Sequence, residues 1–292
     1  MSTDSLSDPD SHEPHEAKKP GSEILEVQRR EASTEFDRPA RNLALSGLSA
    51  GLDLGFSLLL MAVLSELLKG ASRPIQELGV SLAYSLGFLF VILGRSELFT
   101  EHTTLDILPV LAGERNLRSL ARLWGTIYFS NLLGAASFAW VAGKLGPALG
   151  IFSLETLGTL AKPVVAHPAW VICLSAVFAG WLMGLVSWLV AASRDTISQI
   201  VLVIVITGSL GLCHLHHCIA GSVEVLSAVF TGQGVTFPEY LRFLGCATLG
   251  NSIGGGIFVA LIKYGHIALS SDSEETVPGS LSRRQRAFRI PS

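Results

Sequence analysis

Three histidines, His214, His216 and His217, lie within four positions of one another in the segment Gly211–Glu224. An almost entirely apolar run, Ile197–Leu210, precedes this segment, and another apolar piece follows it. Imidazole changes charge near neutral pH, so it can donate, accept or relay a proton. A polar cluster at membrane depth is costly unless it lines a cavity or is paired. The histidine segment is therefore the first candidate for a functional site.

A second polar segment, Gly94–Asp106, interrupts the apolar region that starts at Leu78 and resumes at Ile107. The apolar piece after the interruption is too short to cross a bilayer core of about 30 Å by itself. We therefore predict one broken span here and a second broken span at the histidine segment. The interruption contains five ionisable residues: Arg95, Glu97, Glu101, His102 and Asp106.

Two interpretations of these charges remain open from the sequence. Arg95, Glu97 and Glu101 either form ion pairs at a helix end or mark a protein whose substrate differs from that of its relatives. The roles of His102 and His216 are equally open.

The composition is that of a membrane protein. Of the 292 residues, 49% are hydrophobic and only 15% are charged, and the mean hydropathy is +0.48. Soluble domains carry about 25% charged residues. The net charge of −3 and the scattered basic residues indicate no nucleic-acid partner. The four cysteines fall in apolar segments without a C-x-x-C pair, so we predict neither a disulfide framework nor a bound metal or other cofactor.

Six transmembrane helices are predicted, two of them broken. Their ranges are about 43–68, 78–112 (broken), 124–142, 169–192, 197–230 (broken) and 241–262. Residues 42–265 are expected to form the channel domain, with halves of about 42–145 and 168–265 and a surface helix in the connection. Residues 1–41 are expected to be a disordered cytoplasmic tail that includes a short helix within Glu23–Asp37. Residues 266–292 are expected to be a second tail, and the Lys and Arg distribution places both tails in the cytoplasm.

The two halves share a sequence pattern. In the third span Gly125 is followed by Asn131 and Gly134, and the sixth span repeats these spacings from Gly245 through Asn251 to a further glycine. Three crossings reverse the direction of the chain, so the two halves would be related by an inverted-topology repeat. Such repeats hold their transport site near the midplane, between broken helices. The alternative is that Gly and Asn recur by chance.

Four motifs resemble those of the formate/nitrite transporter family. They are SELFT (Ser96–Thr100), YFSNLLGA (Tyr128–Ala135), the H-x-I-A core (His217–Ala220) and GNSIGGG (Gly250–Gly256), in order over about residues 40 to 265. The resemblance implies an all-α polytopic membrane protein with an aquaporin-like fold, assembled as a homopentamer in a bacterial inner membrane. It implies a channel or transporter, not an enzyme, for small monovalent anions such as formate, nitrite, lactate or hydrosulfide.

The resemblance also implies a substrate pathway. In the family one pore histidine lies between two hydrophobic constrictions and faces a threonine, and these positions match His217 and Thr100. It further implies that Tyr84, Phe88 and Leu210 line a cytoplasmic slit. The remaining residues expected along the pathway are Leu98, Phe99, His216, Asn131 and Asn251. Besides the anion, the expected partners are protons and the lipid bilayer.

A central imidazole lowers the barrier to an anion in one of two ways. Either the weak acid crosses in neutral form, or a histidine cation stabilises the anion between the constrictions. The structural alternative is that His217 only bonds the backbone of the break. The chain departs from the family at His216 and Gly221, where glutamate and asparagine are usual, so selectivity and proton coupling remain open.

Two other classes of function are kept. The first is a membrane-embedded metalloprotein that uses His214, His216, His217 and Glu224, because imidazole suits zinc, copper or iron. The second is a channel for small neutral solutes, although the chain lacks paired N-P-A motifs. Glu224 lies seven positions after His217 and is interpreted either as a proton partner or as a hydrogen-bonding residue at a subunit interface.

Overall fold

The computed structural model describes residues 19–256 and Gly265, and this part of the chain contains helices and no strand. The predicted C-terminal tail, the first 18 residues and the end of the sixth predicted span lie outside the described residues. The helices are α1 (Gly21–Asp37), α2 (Ala40–Leu67), α3 (Arg73–Gly94), α4 (Phe99–Leu105), α5 (Ile107–Leu111), α6 (Leu117–Leu149), α7 (Leu154–Ala166), α8 (Ala169–Ala192), α9 (Thr196–Leu212), α10 (Cys218–Thr231) and α11 (Phe237–Ile253).

Helix α1 corrects the prediction of a disordered N-terminal tail, at least from Gly21 onward. It buries Ile24, Gln28, Ala32 and Phe36, which recur every four residues and therefore share one face. Most other side chains of this helix are exposed or half-buried. The expected short helix is thus present and is docked against the rest of the protein through one amphipathic face.

Among the described residues, four helices are long and apolar enough to cross a bilayer: α2, α3, α6 and α8. Helices α9 and α10 are apolar but shorter. The fourth predicted span has the bounds of α8. The surface helix expected between the halves is α7, but it does not lie only on the surface, because Leu157, Ala161 and Val165 are buried and it packs against α10.

Helix α2 packs closely against α6, and α8 packs closely against α11; glycine permits both contacts. A methyl group on Gly51 of α2 would lie 2.1 Å from the carbonyl oxygen of Asn131. A methyl group on Gly180 of α8 would lie 2.2 Å from the carbonyl oxygen of Asn251. Only glycine lets two backbones approach this closely. A glycine contact therefore brings Asn131 close to α2, and an equivalent glycine contact brings Asn251 close to α8.

Helix α10 occupies the centre of the subunit. Every residue from Cys218 to Ala228 is buried, and the helix is enclosed by α2, α6, α7 and α11. The connection that precedes it is the histidine segment, so the fold buries His216 and His217 inside the molecule and leaves His214 exposed.

Candidate functional site

The connections between α3 and α4 and between α9 and α10 turn in the same way. Each contains one non-glycine residue in the left-handed conformation, Arg95 at φ +55° and His214 at φ +49°. The backbone N–H of the following residue donates in both cases to the carbonyl five residues earlier, at 3.0 Å. This six-residue closure satisfies carbonyls that would otherwise be orphaned at a helix C-terminus. Sequence reasoning did not identify Arg95 and His214 as equivalent left-handed positions, because glycine is the usual residue in this conformation and neither is a glycine.

Asn131 of α6 holds the first connection. Its Oδ1 accepts a hydrogen bond from the backbone N–H of Phe99 at 2.8 Å. Its Nδ2 donates to the carbonyl oxygens of Gly47 at 2.7 Å and of Glu97 at 2.8 Å. The amide therefore joins three chain segments in a fully buried position.

Asn251 of α11 makes the equivalent three bonds at the second connection. Its Oδ1 accepts from the backbone N–H of Cys218 at 2.8 Å, and its Nδ2 donates to the carbonyl oxygens of Ala176 at 2.8 Å and His216 at 3.0 Å. These contacts match Phe99 with Cys218. The position equivalent to His217 is therefore Leu98, and these two residues are the N-caps of α10 and α4.

His217 is the N-cap of α10. Its Nδ1 accepts hydrogen bonds from the backbone N–H groups of Ile219 at 3.3 Å and Ala220 at 3.2 Å. A nitrogen that accepts these bonds carries no proton, so the neutral ring is protonated at Nε2. Nε2 lies 2.8 Å from Thr100 Oγ1, and we assign this contact as Nε2–H donating to the hydroxyl. The ring of Phe88 meets the imidazole edge-on, with centroids 5.2 Å apart.

A cavity of about 450 Å³, which we call the α7-side cavity, opens on one side of this contact. Tyr84, Leu210, His216, His217 and Glu224 line it, together with residues of α2, the start of α3 and α7. Its polar rim is formed by Arg73, Glu77, His167 and His214.

A second cavity of about 620 Å³, the α1-side cavity, lies toward the other end of α3. It is lined by residues of α1, the end of α3, Glu97, Glu101 and His102. Phe88, Leu98 and Thr100 are fully buried. Thr100 precedes a residue that lines this cavity and contacts His217, which lines the other. The two cavities are therefore separated by a thin barrier.

The assignment of Tyr84 and Leu210 to a cytoplasmic slit stays a prediction. Both line the α7-side cavity, which lies at the end of α3 opposite to the α1-side cavity. Phe88 lies one turn further along α3, inside the barrier. Phe99 is directed toward α6 instead, with its ring 4.8 Å from that of Tyr128, so it braces the connection.

The charges of the first connection form a buried cluster. His102 Nδ1 lies 3.1 Å from both carboxylate oxygens of Asp106, its Nε2 contacts Glu97, and Glu97 also contacts Arg38. Arg38 also pairs with Glu35 of α1, whose pKa is raised by burial and by the nearby charge of Glu97. The spacing of four between His102 and Asp106 was a helical signal, whereas nothing local in the sequence pointed to Arg38.

The ion-pair interpretation is right for Glu97, which pairs with Arg38 and His102, and for Arg95, which forms an exposed pair with Glu31. The Arg95 side chain is 87% exposed, and its carboxylate neighbour is Glu31, at 4.0 Å. Glu101 lines the α1-side cavity, where its side chain bonds Ser187.

The three histidines do not converge. His216 Nδ1 lies 2.8 Å from Ser175 Oγ, and its Nε2 lies 3.1 Å from the carbonyl oxygen of Val164, so both nitrogens have protein partners. His214 is exposed at the rim, 3.3 Å from Glu77. Within residues 19–256, no three His, Cys, Asp or Glu side chains are placed to share a metal ion. The geometry gives no support to the metalloprotein alternative.

Comparison with known proteins finds one matching family model and similar proteins. A family model described as formate/nitrite transporter matches residues 22–265. Inner membrane protein YfdC of Escherichia coli (strain K12) is 33% identical over 250 residues, which cover 84% of this chain and 78% of that protein.

Two solved structures share the fold. One, described as an FNT family ion channel, has a TM-score of 0.76 at 20% identity and covers 84% of this chain and 99% of its own. Another, described as a pentameric formate channel with formate bound, has a TM-score of 0.67 at 24% identity and covers 79% of this chain and 98% of its own.

Proposed function

Because the chain belongs to the formate/nitrite transporter family, we propose that it conducts small monovalent weak-acid anions, such as formate or nitrite, past His217 in a proton-linked manner. The observation that carries this proposal is the contact of His217 with Thr100 between two cavities. One relative by fold is described as a formate channel, which is consistent with a substrate of this size and charge.

The barrier is built to exclude a charged solute. Phe88, Leu98 and Leu210 present apolar groups there, and each is fully buried. Taking an anion out of water into such surroundings is strongly unfavourable. The His217 and Thr100 side chains supply polar hydrogen-bonding groups at this depth. Thr100 Oγ1 accepts from His217 Nε2–H, so the hydroxyl proton is left to donate to a passing oxygen atom.

The capping role of His217 favours passage of the neutral acid over a fixed histidine cation. A second ring proton would have to sit on Nδ1, which accepts the N–H groups of Ile219 and Ala220. Protonation would therefore remove the cap of α10 and leave two buried N–H groups without acceptors. We propose that His217 remains neutral and acts with Thr100 as a fixed hydrogen-bonding station for the protonated substrate.

We further propose six spans with an inverted-topology repeat, halves of about 42–145 and 168–265, and a homopentamer in the inner membrane with cytoplasmic termini. The matched bonds of Asn131 and Asn251 support the repeat. Large apolar side chains exposed on several helices, including Phe129, Trp140 and Trp170, support contact with lipid or with neighbouring subunits.

Flux into proteoliposomes tests the proposal. The protein is reconstituted, and uptake of formate, nitrite, lactate, hydrosulfide and glycerol is compared across pH 5 to 7 for the natural chain and His217→Asn. We expect at least one weak acid to pass faster as the pH falls, and we expect the variant to lose this flux. Uptake of glycerol alone would support the neutral-solute alternative, and uptake of nothing would overturn the proposal.

A further inference from the structure

We propose that Glu224 is the proton donor that neutralises the anion in the α7-side cavity before it meets the barrier. This inference rests on the proposed function and supplies the proton source that the function lacks. His217 cannot serve as that source, because a neutral imidazole that gave up its Nε2 proton would become an anion inside an apolar barrier.

Glu224 is well placed relative to His217. Helix α10 begins at Cys218 and continues without a break through Glu224. Seven residues are two helical turns, so the two side chains share a face and are about 10 Å apart along the axis. Both line the α7-side cavity. A solute that enters this cavity therefore meets Glu224 on its way to His217.

Glu224 is the one charged residue of α10, and it is only 8% exposed. Its backbone oxygen accepts a hydrogen bond from Ser227, but no described side chain bonds or pairs with its carboxyl group. Because α10 is enclosed by four helices of the same subunit, the side chain faces the internal cavity. This placement disfavours the alternative of a hydrogen bond at a subunit interface.

The charged and titratable groups around the cavity do not neutralise Glu224. Arg73 and His214 both pair with Glu77 at the rim, at 3.5 Å and 3.3 Å. Helix α2 contributes the uncharged Met61 and Ser65. The other titratable groups that line the cavity are Tyr84 of α3, His167 after α7, and His216 and His217 before α10. Tyr240 of α11 bonds Ser222 of α10. A buried carboxyl group without a cation is most stable as the neutral acid.

The proposed step is a proton exchange between a carboxyl group and a weak-acid anion. The O–H bond of Glu224 breaks and an O–H bond forms on the substrate, so the substrate becomes neutral and Glu224 becomes a carboxylate. Glu224 then takes a proton from the water at the cavity rim. For a carboxylate substrate the exchange replaces one carboxylate in the cavity by another, so the net charge of the cavity does not change. The neutral acid crosses the barrier past His217 and Thr100.

The test compares Glu224→Gln, Glu224→Asp and the control Glu155→Gln in proteoliposomes, with formate as the probe; Glu155 is exposed on α7 and does not line the cavity. Glutamine keeps the size and polarity of the side chain but carries no exchangeable acid proton. We expect Glu224→Gln to slow formate uptake at pH 7 by at least about tenfold, and by less than about twofold at pH 4.5, where neutral acid is supplied by the solution. Glu224→Asp should restore part of the flux, and Glu155→Gln should leave it unchanged. An equal loss at both pH values, or no loss, overturns the inference.

Infrared difference spectra of the purified protein separate this inference from the proposed function. We expect a protonated-carboxyl band in the natural chain that Glu224→Gln removes, and that decreases when formate is added at pH 7. If the natural chain moves no weak acid, the proposed function fails, and this band still decides whether Glu224 holds and releases a proton. Absence of the band, or a band that formate does not change, overturns the assignment of Glu224.

Discussion

Thr100 Oγ1 lies 2.8 Å from His217 Nε2, and this contact joins the N-terminal ends of two helices from opposite halves of the chain. The same imidazole caps α10 through its other nitrogen. The orientation and the tautomer of the His217 ring are therefore fixed. One residue thus combines a proposed role in substrate passage with a role in stabilising the fold. Substitutions can separate the two roles.

Asparagine at position 217 should keep the cap and remove the ring. Asparagine is among the best N-cap residues, so His217→Asn should retain nearly the natural melting temperature while losing weak-acid flux. His217→Ala loses the cap as well and should be less stable by about 1 kcal/mol. Thermal unfolding in detergent and liposome flux measure the two effects. Retention of flux in His217→Asn would contradict a role for the imidazole in passage.

Loss of the Thr100 hydroxyl should destabilise the protein, because its hydrogen-bond partner, His217, is buried. Thr100→Val leaves His217 Nε2–H without its acceptor and should destabilise the protein by about 1 to 3 kcal/mol. Thr104, on the same short helix, provides a matched control because its buried hydroxyl has no hydrogen-bond partner among the described residues. Thr104→Val should be neutral or slightly stabilising. Equal effects of the two substitutions on the melting temperature would refute this account.

The two buried asparagines should be equally important. Asn131→Ala and Asn251→Ala each remove three hydrogen bonds. Each substitution leaves one backbone N–H group and two carbonyl groups without their asparagine partner. Each loss should lower stability by about 3 kcal/mol or more. Ser252→Ala is the control, since the Ser252 hydroxyl bonds only the carbonyl one turn earlier. A large loss at one asparagine and none at the other would contradict their structural equivalence.

Two glycines of α11 should respond in opposite ways to alanine. A methyl group on Gly250 would lie 2.3 Å from the carbonyl oxygen of Cys173 on α8, whereas one on Gly245 would meet nothing within 4 Å. Gly250→Ala must push two backbones apart and should greatly reduce the yield of folded protein. Gly245→Ala should stabilise the helix by up to about 1 kcal/mol. Size-exclusion profiles and melting temperatures of the two variants check this contrast.

Docking of α1 should weaken in acid. The Arg115 guanidinium bonds Asp37 at 2.6 Å and lies over the ring of Phe36, and it lowers the pKa of Asp37 below 3.8. Since the folded pKa lies below the unfolded one, this stabilisation is complete above the unfolded pKa. It is lost as the pH falls through the folded pKa.

Hydrogen-exchange protection factors of the α1 amides measure this effect. They should fall in acid for the natural chain and should be lower at pH 7 in Arg115→Ala. The exposed Arg118 gives the control substitution, and Arg118→Ala should leave α1 protected. If Arg115→Ala does not change protection at pH 7, the ion pair contributes nothing to docking.

The sequence by itself determined much of this protein. Long apolar runs with few charges can only be stable as helices in a bilayer, and they fixed the class. The glycine and asparagine spacings, together with the four motifs, identified the family and the two polar connections. His217 and Thr100 were named because the motifs preserve their order and spacing. These features are local, so a linear pattern is enough to reveal them.

Only the tertiary structure decided which groups meet. Leu98 is equivalent to His217, because the register is set by bonds from Asn131 and Asn251 more than 30 residues away. His214, His216 and His217 are neighbours in sequence, but their side chains point to different places. His214 adopts a left-handed conformation, and each of the three side chains contacts different, distant residues. Glu97 contacts Arg38, 59 residues earlier, and Tyr84 and Leu210 line one cavity although they lie on different helices. Such contacts depend on how helices pack, which no local spacing encodes.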